Sequence, residues 1–489
     1  MNRRQFLSSA ASLAASSVMA ERILADPYAP ARRALLPNRS APVRIRGRVT
    51  AVGRGLARVG VSDGVAVVTT DPNGHFELVS ARGTGYVSVI PPAGYRLPTM
   101  ETGSLALHRP IRPSVSFALE PGAPDDRHAF LLLADPQTQD DHEMARFHRE
   151  TVPDVRATLG GLSVPAFGVG CGDLMYDELD LFPEYERAVR AMGIPFAQVV
   201  GNHDLDQSGR TDEESVATFT GRFGPNRYAF NVGRIHYVVL DDVFWHGTGY
   251  IGYLDAEQLA WLAADLALVA PGSPVVVFLH IPAYTSQAER QGERAPGNSV
   301  SVTNRQALYR ILEPYRARIL SGHLHESDHV FEGGVPEHTV GAVCGAWWTG
   351  DICYDGTPNG YGVFEADGEN LRWYYKATGR PASHQMRVYP RGSDPAAPGE
   401  IVANVWGADP EWTVTWYEGA DRRGAMARRT GKDPLSVALH SGDALPVRRT
   451  WVDPVLTNHM FYAPVPANAR EIRVEAVDRF GRRYEGTPA

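Results

Sequence analysis

The sequence predicts a layered α/β domain flanked on each side by a small all-β sandwich. Three observations carry this. Short runs of period-two alternation fill about Val43 to Glu120 and return after about Ala382. Between them, continuous apolar runs of strand length alternate with stretches of helical periodicity. Pro/Gly-rich breaks such as Pro121-Gly-Ala-Pro-Asp-Asp126 fall where the period changes. At 489 residues the chain is too long for a single core, so several domains are expected. A 43% hydrophobic and 21% charged composition is that of a globular protein. With 48 basic against 56 acidic residues, a formal net charge of -8 and no basic block beyond the extreme N-terminus, a nucleic-acid surface is excluded.

Taken in order, residues 1–20 read as a targeting segment. Paired Arg3 and Arg4 precede an Ala/Ser-rich run ending in Val18-Met-Ala20, with small residues at the −3 and −1 positions of a cleavage site. Arg-Arg-x-Phe-Leu resembles a twin-arginine export signal, which implies that export machinery as a partner and a periplasmic or secreted location. The run is too short and polar to stay as a membrane span, and no other stretch qualifies. Residues 21–40 read as a linker. Residues 41–120 read as an antiparallel β-sandwich, with Ser62-Asp-Gly64 and Asp71-Pro-Asn-Gly74 as turns, and resemble the transthyretin-like modules of secreted enzymes.

Residues 127–380 are the α/β domain. Strands are expected at 128–134, 166–171, 196–200, 235–240, 274–279 and 317–320, and helices at about 141–159, 182–192, 255–269 and 304–315. The far end reads as antiparallel, with 339–343 and 361–365 leading into 371–375. Residues 382–489 form the second sandwich; its Trp and Tyr residues suit core packing better than a glycan or partner surface.

Five segments of the middle domain end an apolar strand with metal-type ligands: Asp135-Pro-Gln137, Gly172-Asp173, Gly201-Asn-His-Asp204, His280 and Gly322-His-Leu-His325. Carboxylate, amide oxygen and imidazole without thiolate suit a pair of borderline divalent cations, and the carboxyl edge of such strands is where α/β sheets bind ligands. One carboxylate must be shared between two cations, and Asp173 is the natural bridge.

This order of motifs resembles the calcineurin-like metallophosphoesterase superfamily over about residues 128–380, with flanking β modules like those of an exported bacterial branch. The resemblance implies a four-layer α/β/β/α core and a hydrolase acting on phosphoric ester bonds through a metal-bridging hydroxide. It implies a first metal on Asp135, Gln137, Asp173 and His325, and a second on Asp173, Asn202, His280 and His323. His203 would be the general acid and Asp204 would orient its imidazole. Gln137 stands where the family pattern usually has His; its neutral oxygen favours a harder ion, so Mn²⁺ is expected, with Fe or Zn as alternatives. The lack of a Tyr one turn after Asp135 argues against the purple acid phosphatase branch.

Substrate contacts are expected on the Gly/Pro/Asn-rich loop after the last motif, from Trp347, Trp348, Asn359 and Tyr361. Cys344 and Cys353 flank its first half; an oxidising compartment permits a bridge, and spacing leaves it open. Asp241 and Asp242 end a strand, where such pairs usually cap or face solvent. His142, His148, His236, His246 and His329 read as structural or surface residues. The expected activity is hydrolysis of a small-molecule or lipid phosphoester. Pyrophosphate or lipid-headgroup diester hydrolysis at the same site is the alternative within the class, and a non-catalytic glycan- or partner-binding protein the rival outside it.

Overall fold

The computed structural model describes residues 42–80 and 85–489, so the expected signal and linker (1–40) lie outside the described residues. The N-terminal region is a sandwich of two four-stranded sheets. One contains Val43–Ala51, Arg54–Gly55, His75–Ser80 and Ser114–Leu119; the other contains Gly60–Ser62, Val67–Thr69, Tyr86–Ile90 and His108–Pro110. His75–Ser80 alternates exposed and buried residues throughout, sending Phe76 and Leu78 into a core with Ile45, Val49, Val61 and Phe117. One pairing departs from the antiparallel expectation: Val43–Ala51 runs parallel to Ser114–Leu119. The long chain between these strands supplies the crossover that a parallel pair needs. This region also closes an edge of the central domain, where Leu105 N–H donates to Phe196 O and Phe196 N–H to Gly103 O.

The central domain has four layers. Its first sheet has the order Phe196–Val199, Ala166–Cys171, Arg127–Leu133, Gly360–Asp367, Asn370–Ala377; the first three strands are parallel and the last two antiparallel. The second has the order Tyr228–Val232, Ile235–Val239, Pro274–Phe278, Arg316–Ser321, Val335–Thr339, Asp328–Glu332, parallel in the middle and antiparallel at both ends. Inner faces of both sheets share one aromatic core. Phe130 of the first stacks on Phe364 at 4.7 Å between centroids and meets Phe278 of the second edge-on at 5.7 Å. Helices cover the outer faces: Phe182–Met192 and the segment from Asp141 on one side, Ala256–Leu266 and Arg305–Leu312 on the other. Strands covered on both faces must be apolar throughout, which is why 129–134 and 275–279 read as unbroken runs.

The helix expected over 141–159 is broken in the middle. Asp141–Arg146 and Val152–Gly160 are α-helical, and Phe147–Thr151 between them is a wider π turn. Pro153 has no N–H for the carbonyl four residues back, and its ring would clash there; the π turn relieves both problems. The run 339–343 is not a strand. The ladder stops at Thr339, and the chain crosses to the first sheet, where Val343 and Cys344 donate to Ala134 O and Asp135 O. The hairpin strand Tyr228–Val232 was not anticipated.

The C-terminal region packs two more four-stranded sheets around Val414, Trp416, Phe461 and Val474. Trp406 and Trp416 are buried, as core packing requires. Between strands Ala427–Lys432 and Leu456–Pro464 the chain makes an unanticipated helix, Pro434–His440, capped by Asp433. This helix leans on the loop after the last metal motif: Ser436 Oγ donates to Tyr354 O at 2.6 Å, and Thr349 Oγ1 lies 3.2 Å from His440 Nε2. Among the described residues no helix is long and apolar enough to cross a membrane.

Candidate metal centre

All five motifs converge where the parallel strands of the two sheets end. Asp135, Gln137, Asp173, His323 and His325 all have positive φ, between 41° and 70°. Non-glycine residues rarely adopt that conformation, and each instance costs on the order of 1 kcal/mol or more, so the surrounding structure must enforce it. The strain turns consecutive ligands inward as the chain leaves each strand. Gly172 and Gly201 make room for them: a Cβ on Gly172 would lie 2.2 Å from His280 Nδ1, and one on Gly201 2.3 Å from Asp173 Oδ1.

Asp173 is central. Its Oδ1 lies 3.2 Å from His280 Nε2 and accepts the His203 N–H at 2.8 Å, while Oδ2 accepts Gln137 Nε2 at 3.0 Å. His280 Nε2 is also 3.1 Å from Asn202 Oδ1. Asp135 accepts the His323 N–H on both oxygens and lies 3.7 Å from His325 Nε2. Donor atoms of Asp173, His280 and His323 all fall within 4.8 Å of one another.

The imidazoles are each oriented by a backbone carbonyl. His280 Nδ1 bonds Cys171 O at 3.0 Å, His323 Nε2 bonds Ser299 O at 2.9 Å, and His325 Nδ1 bonds Gly345 O at 2.6 Å. The His323 and His325 rings each donate one N–H to a carbonyl and keep the other nitrogen as a bare lone pair facing the cluster, whereas His280 Nε2 faces Asp173 and Asn202. His323 Nδ1 and His325 Nε2 are buried with no protein partner. Burial, followed for His323 by the charge of His280, lowers His323 to about 3 and His325 to about 4, so both are neutral at pH 7. Burial works against protonation of His280 too, but the charge and hydrogen bond of Asp173 push it up to about 10. Burial lifts Asp135 well above the usual carboxylate range, although His280 pulls the other way. Buried carboxylates beside unpartnered imidazole nitrogens need positive charge between them, and the residues present fit divalent cations.

The role expected of Asp204 is corrected. Its carboxylate is fully buried and accepts three backbone N–H groups, from Leu174 and Gly201 on Oδ2 and from Met175 on Oδ1, at 2.9–3.1 Å. It braces the turns that carry Asp173 and Asn202 and makes no hydrogen bond to the His203 ring. Burial and the charge of Asp173 raise it to about 7. Asp177 orients the imidazole instead, with Oδ1 2.7 Å from His203 Nδ1, and the Tyr176 ring stacks on it at 4.4 Å. Burial opposes the His203 proton, but Asp173 and Asp177 together raise its pKa. Asp177 carries a signal only in the fold: it has φ 67° four residues after Asp173. Asp242 proves to be a cap, accepting the His280 and Ile281 N–H groups. His236 is structural, 2.7 Å from Asp265.

The substrate-contact set is corrected as well. Tyr361 is wholly buried, its hydroxyl bonded to Asp154 at 2.6 Å. Trp348 is buried with Nε1 donating to Pro136 O at 3.0 Å, which props the first metal loop from behind. Asn359 is buried and donates to Gly350 O. Only Trp347 stands at the centre itself, stacked on His325 with centroids 4.2 Å apart. The bridge between Cys344 and Cys353 does not form: both thiols are free and buried, directed to separate partners, Gly345 O and Ala342 O.

Family models match three stretches of the chain. "Calcineurin-like phosphoesterase" covers residues 130–327, "N terminal of Calcineurin-like phosphoesterase" 43–120, and "C terminal of Calcineurin-like phosphoesterase" 337–484. The last begins inside the central domain and takes in two strands of its first sheet. Among curated proteins, the chain is 25% identical over 173 residues to "Serine/threonine-protein phosphatase CPPED1" of Homo sapiens, covering 33% of this chain and 54% of that one. It is 29% identical over 178 residues to a "cAMP/cGMP dual specificity phosphodiesterase" of Mycobacterium tuberculosis, covering 33% and 50%. The chain thus spans about half the length of the curated relatives it matches. Among solved structures, the purple acid phosphatase of yellow lupin (Lupinus luteus) aligns at a TM-score of 0.37 and 12% identity, covering 67% of this chain and 68% of that one. At that score it carries no functional argument.

Proposed function

Since the chain belongs to the calcineurin-like phosphoesterase family, we propose that it is an exported, dinuclear metal-dependent hydrolase of phosphoester bonds. The observation that carries the reading is the pair of buried, unpartnered imidazole nitrogens, His323 Nδ1 and His325 Nε2, set around a central Asp173. Asp135, Gln137, Asp173 and His325 would hold one cation; Asp173, Asn202, His280 and His323 the other. When bound, such cations polarise a phosphoryl oxygen and ionise a water at neutral pH. Mn²⁺ is favoured over Fe or Zn because Gln137 contributes a neutral oxygen.

The chain's own residues do the rest. Asp173 spans the centre with its two oxygens directed to different neighbours, Gln137 and His280. His203 keeps Nδ1 on Asp177, which leaves Nε2 to deliver a proton to the departing alkoxide. Tyr176 packs flat against the ring and holds its plane. Asp204 fixes the backbone from which Asp173, Asn202 and His203 project. The paired arginines at residues 3 and 4 support export to the periplasm. The named activities of the relatives include both monoester and diester cleavage. A screen of the purified, Mn²⁺-loaded protein against mono-, di- and pyrophosphate esters, with bound metal counted in parallel, tests the reading. Turnover of none of them, or a chain that holds no metal, overturns it.

A further inference from the structure

The C-terminal β region reaches into the metal centre at two points. After helix Pro434–His440 the chain runs back across the central domain, where Arg448 and Arg449 pair with Glu143. The Arg449 guanidinium lies 4.5 Å over the ring of Tyr176, whose other contact is His203. Two residues on, Trp451 meets Trp347 with ring centroids 4.6 Å apart at 60°. Trp347 in turn stacks on the ligand His325 at 4.2 Å and 22°, and Tyr354 closes the group at 5.8 Å. Trp347 is held there by φ of 51°, and Trp348 beside it by 61°.

Trp451 is out of character for its domain. Trp406 and Trp416 are buried in the same region, whereas Trp451 leaves 54% of its surface in solvent. Its position is set by Arg449 two residues before it and by Val455, whose N–H donates to Tyr354 O. A large flat apolar face is thereby held half in solvent, one ring away from His325. Core packing does not account for that exposure, and a flat aromatic face left half in solvent is suited to stacking.

We propose that Trp451 is a specificity-determining residue, and that the substrate is a phosphoester whose leaving group carries a ring with a flat apolar face that stacks on Trp451 over Trp347. An aryl ring and the apolar face of a sugar share that chemistry. The inference rests on the phosphoesterase reading.

Two measurements on the Mn²⁺-loaded full chain test it. In the first, kcat/KM is compared among phenyl phosphate, a hexose 1-phosphate and butyl phosphate for wild type, Trp451→Ala and Trp451→Phe. Trp451→Ala is expected to lower the ratio of ring ester to butyl ester by about ten-fold through KM, as loss of one stacking partner does. Trp451→Phe restores most of it. A loss confined to phenyl phosphate identifies an aryl leaving group, and one confined to the hexose phosphate a glycosyl group. Equal losses on all three esters, or none, overturn the proposal. In the second, phenylphosphonate and methylphosphonate are titrated by tryptophan fluorescence without turnover. The expected Kd for phenylphosphonate rises in Trp451→Ala while that for methylphosphonate does not, with bound metal unchanged. A chain that turns over no ester fails the proposed function, and the titration still decides the stacking role: equal affinity of wild type and Trp451→Ala for phenylphosphonate refutes it.

Discussion

Gly201→Ala adds one methyl group and should disable the centre. Gly201 does not have a positive φ, so alanine meets no backbone penalty there, and the effect is purely one of volume. An ideal Cβ would lie 1.9 Å from the backbone nitrogen of Asp173 and 2.3 Å from its Oδ1. Real Cβ atoms do not approach within 3.0 Å of another atom, so the two segments must separate by about 1 Å. Neither can yield freely. Asp173 is bound on both oxygens, and Gly201 N–H is held by Asp204 at 2.9 Å. Overpacking of this kind costs roughly 1–3 kcal/mol of stability. A displacement of about 1 Å at a reacting geometry costs on the order of 100-fold in rate. The assay is metal content per chain, kcat on nitrophenyl phosphate and the urea midpoint, all on one preparation. The variant should fold with a lowered midpoint, hold fewer than two metals and turn over at least 30-fold more slowly, a bound taken from that same displacement argument as a rough floor. Two metals per chain with kcat within about three-fold of wild type would refute the argument that this glycine exists to admit Asp173.

Other substitutions separate the roles of the acids. Asp173→Asn should lose metal and activity together, since it removes the one ligand proposed for both ions; retention of two metals would contradict the sharing. Asp177→Asn should keep both metals and lower kcat on alkyl esters by roughly 10-fold or more, with a smaller loss on nitrophenyl esters that need little protonation. Asp204→Asn should act on folding instead. At least one of its three backbone donors would face an amide N–H, costing about 1–3 kcal/mol in the urea midpoint. If Asp204→Asn spared stability and Asp177→Asn did not, the two assignments would be reversed. His108 and His329 are each held down to about 4, chiefly by burial. Their folded values lie below the unfolded value near 6.5, so their contribution is present above pH 6.5 and is lost as pH falls through 4. In excess chelator the urea midpoint should decline across that window, and His108→Asn should flatten part of the decline; a midpoint independent of pH from 6.5 to 4 would be inconsistent with neutral burial.

The metal motifs were readable because each is local: an apolar run, a glycine and a ligand at a strand end. What surrounds them is not local. Asp204 adjoins His203 in the sequence while Asp177 lies 26 residues before it, yet the path of the turns puts the distant acid on the imidazole and the adjacent one on backbone N–H groups. The loop after the last motif looked uniformly like a contact surface because its composition does not reveal which side chains turn inward. Trp348 and Tyr361 turn inward, to Pro136 O and Asp154. Pro153 forecast an interruption that went unread, because the periodicity on either side is continuous. Arg449 and Trp451 were out of reach altogether, since more than a hundred residues and a change of domain separate them from the ligands they approach.

Strand Arg127–Leu133, which ends at the first metal loop, finds one neighbour soon after it in Ala166–Cys171, but its other edge waits for Gly360–Asp367. During synthesis, therefore, the ribosome must deliver more than two hundred further residues before that edge is sealed. Throughout that interval a long apolar strand with free backbone groups is open to any passing β-segment. A nascent chain stalled after Gly322-His-Leu-His325 would hold every ligand proposed for the two cations and still lack the strand that seals the sheet. Cations supplied early would meet a cluster whose sheet is still open, so loading is expected to come late, and fragments that end before Gly360–Asp367 should be cleared as misfolded rather than persist as small active enzymes.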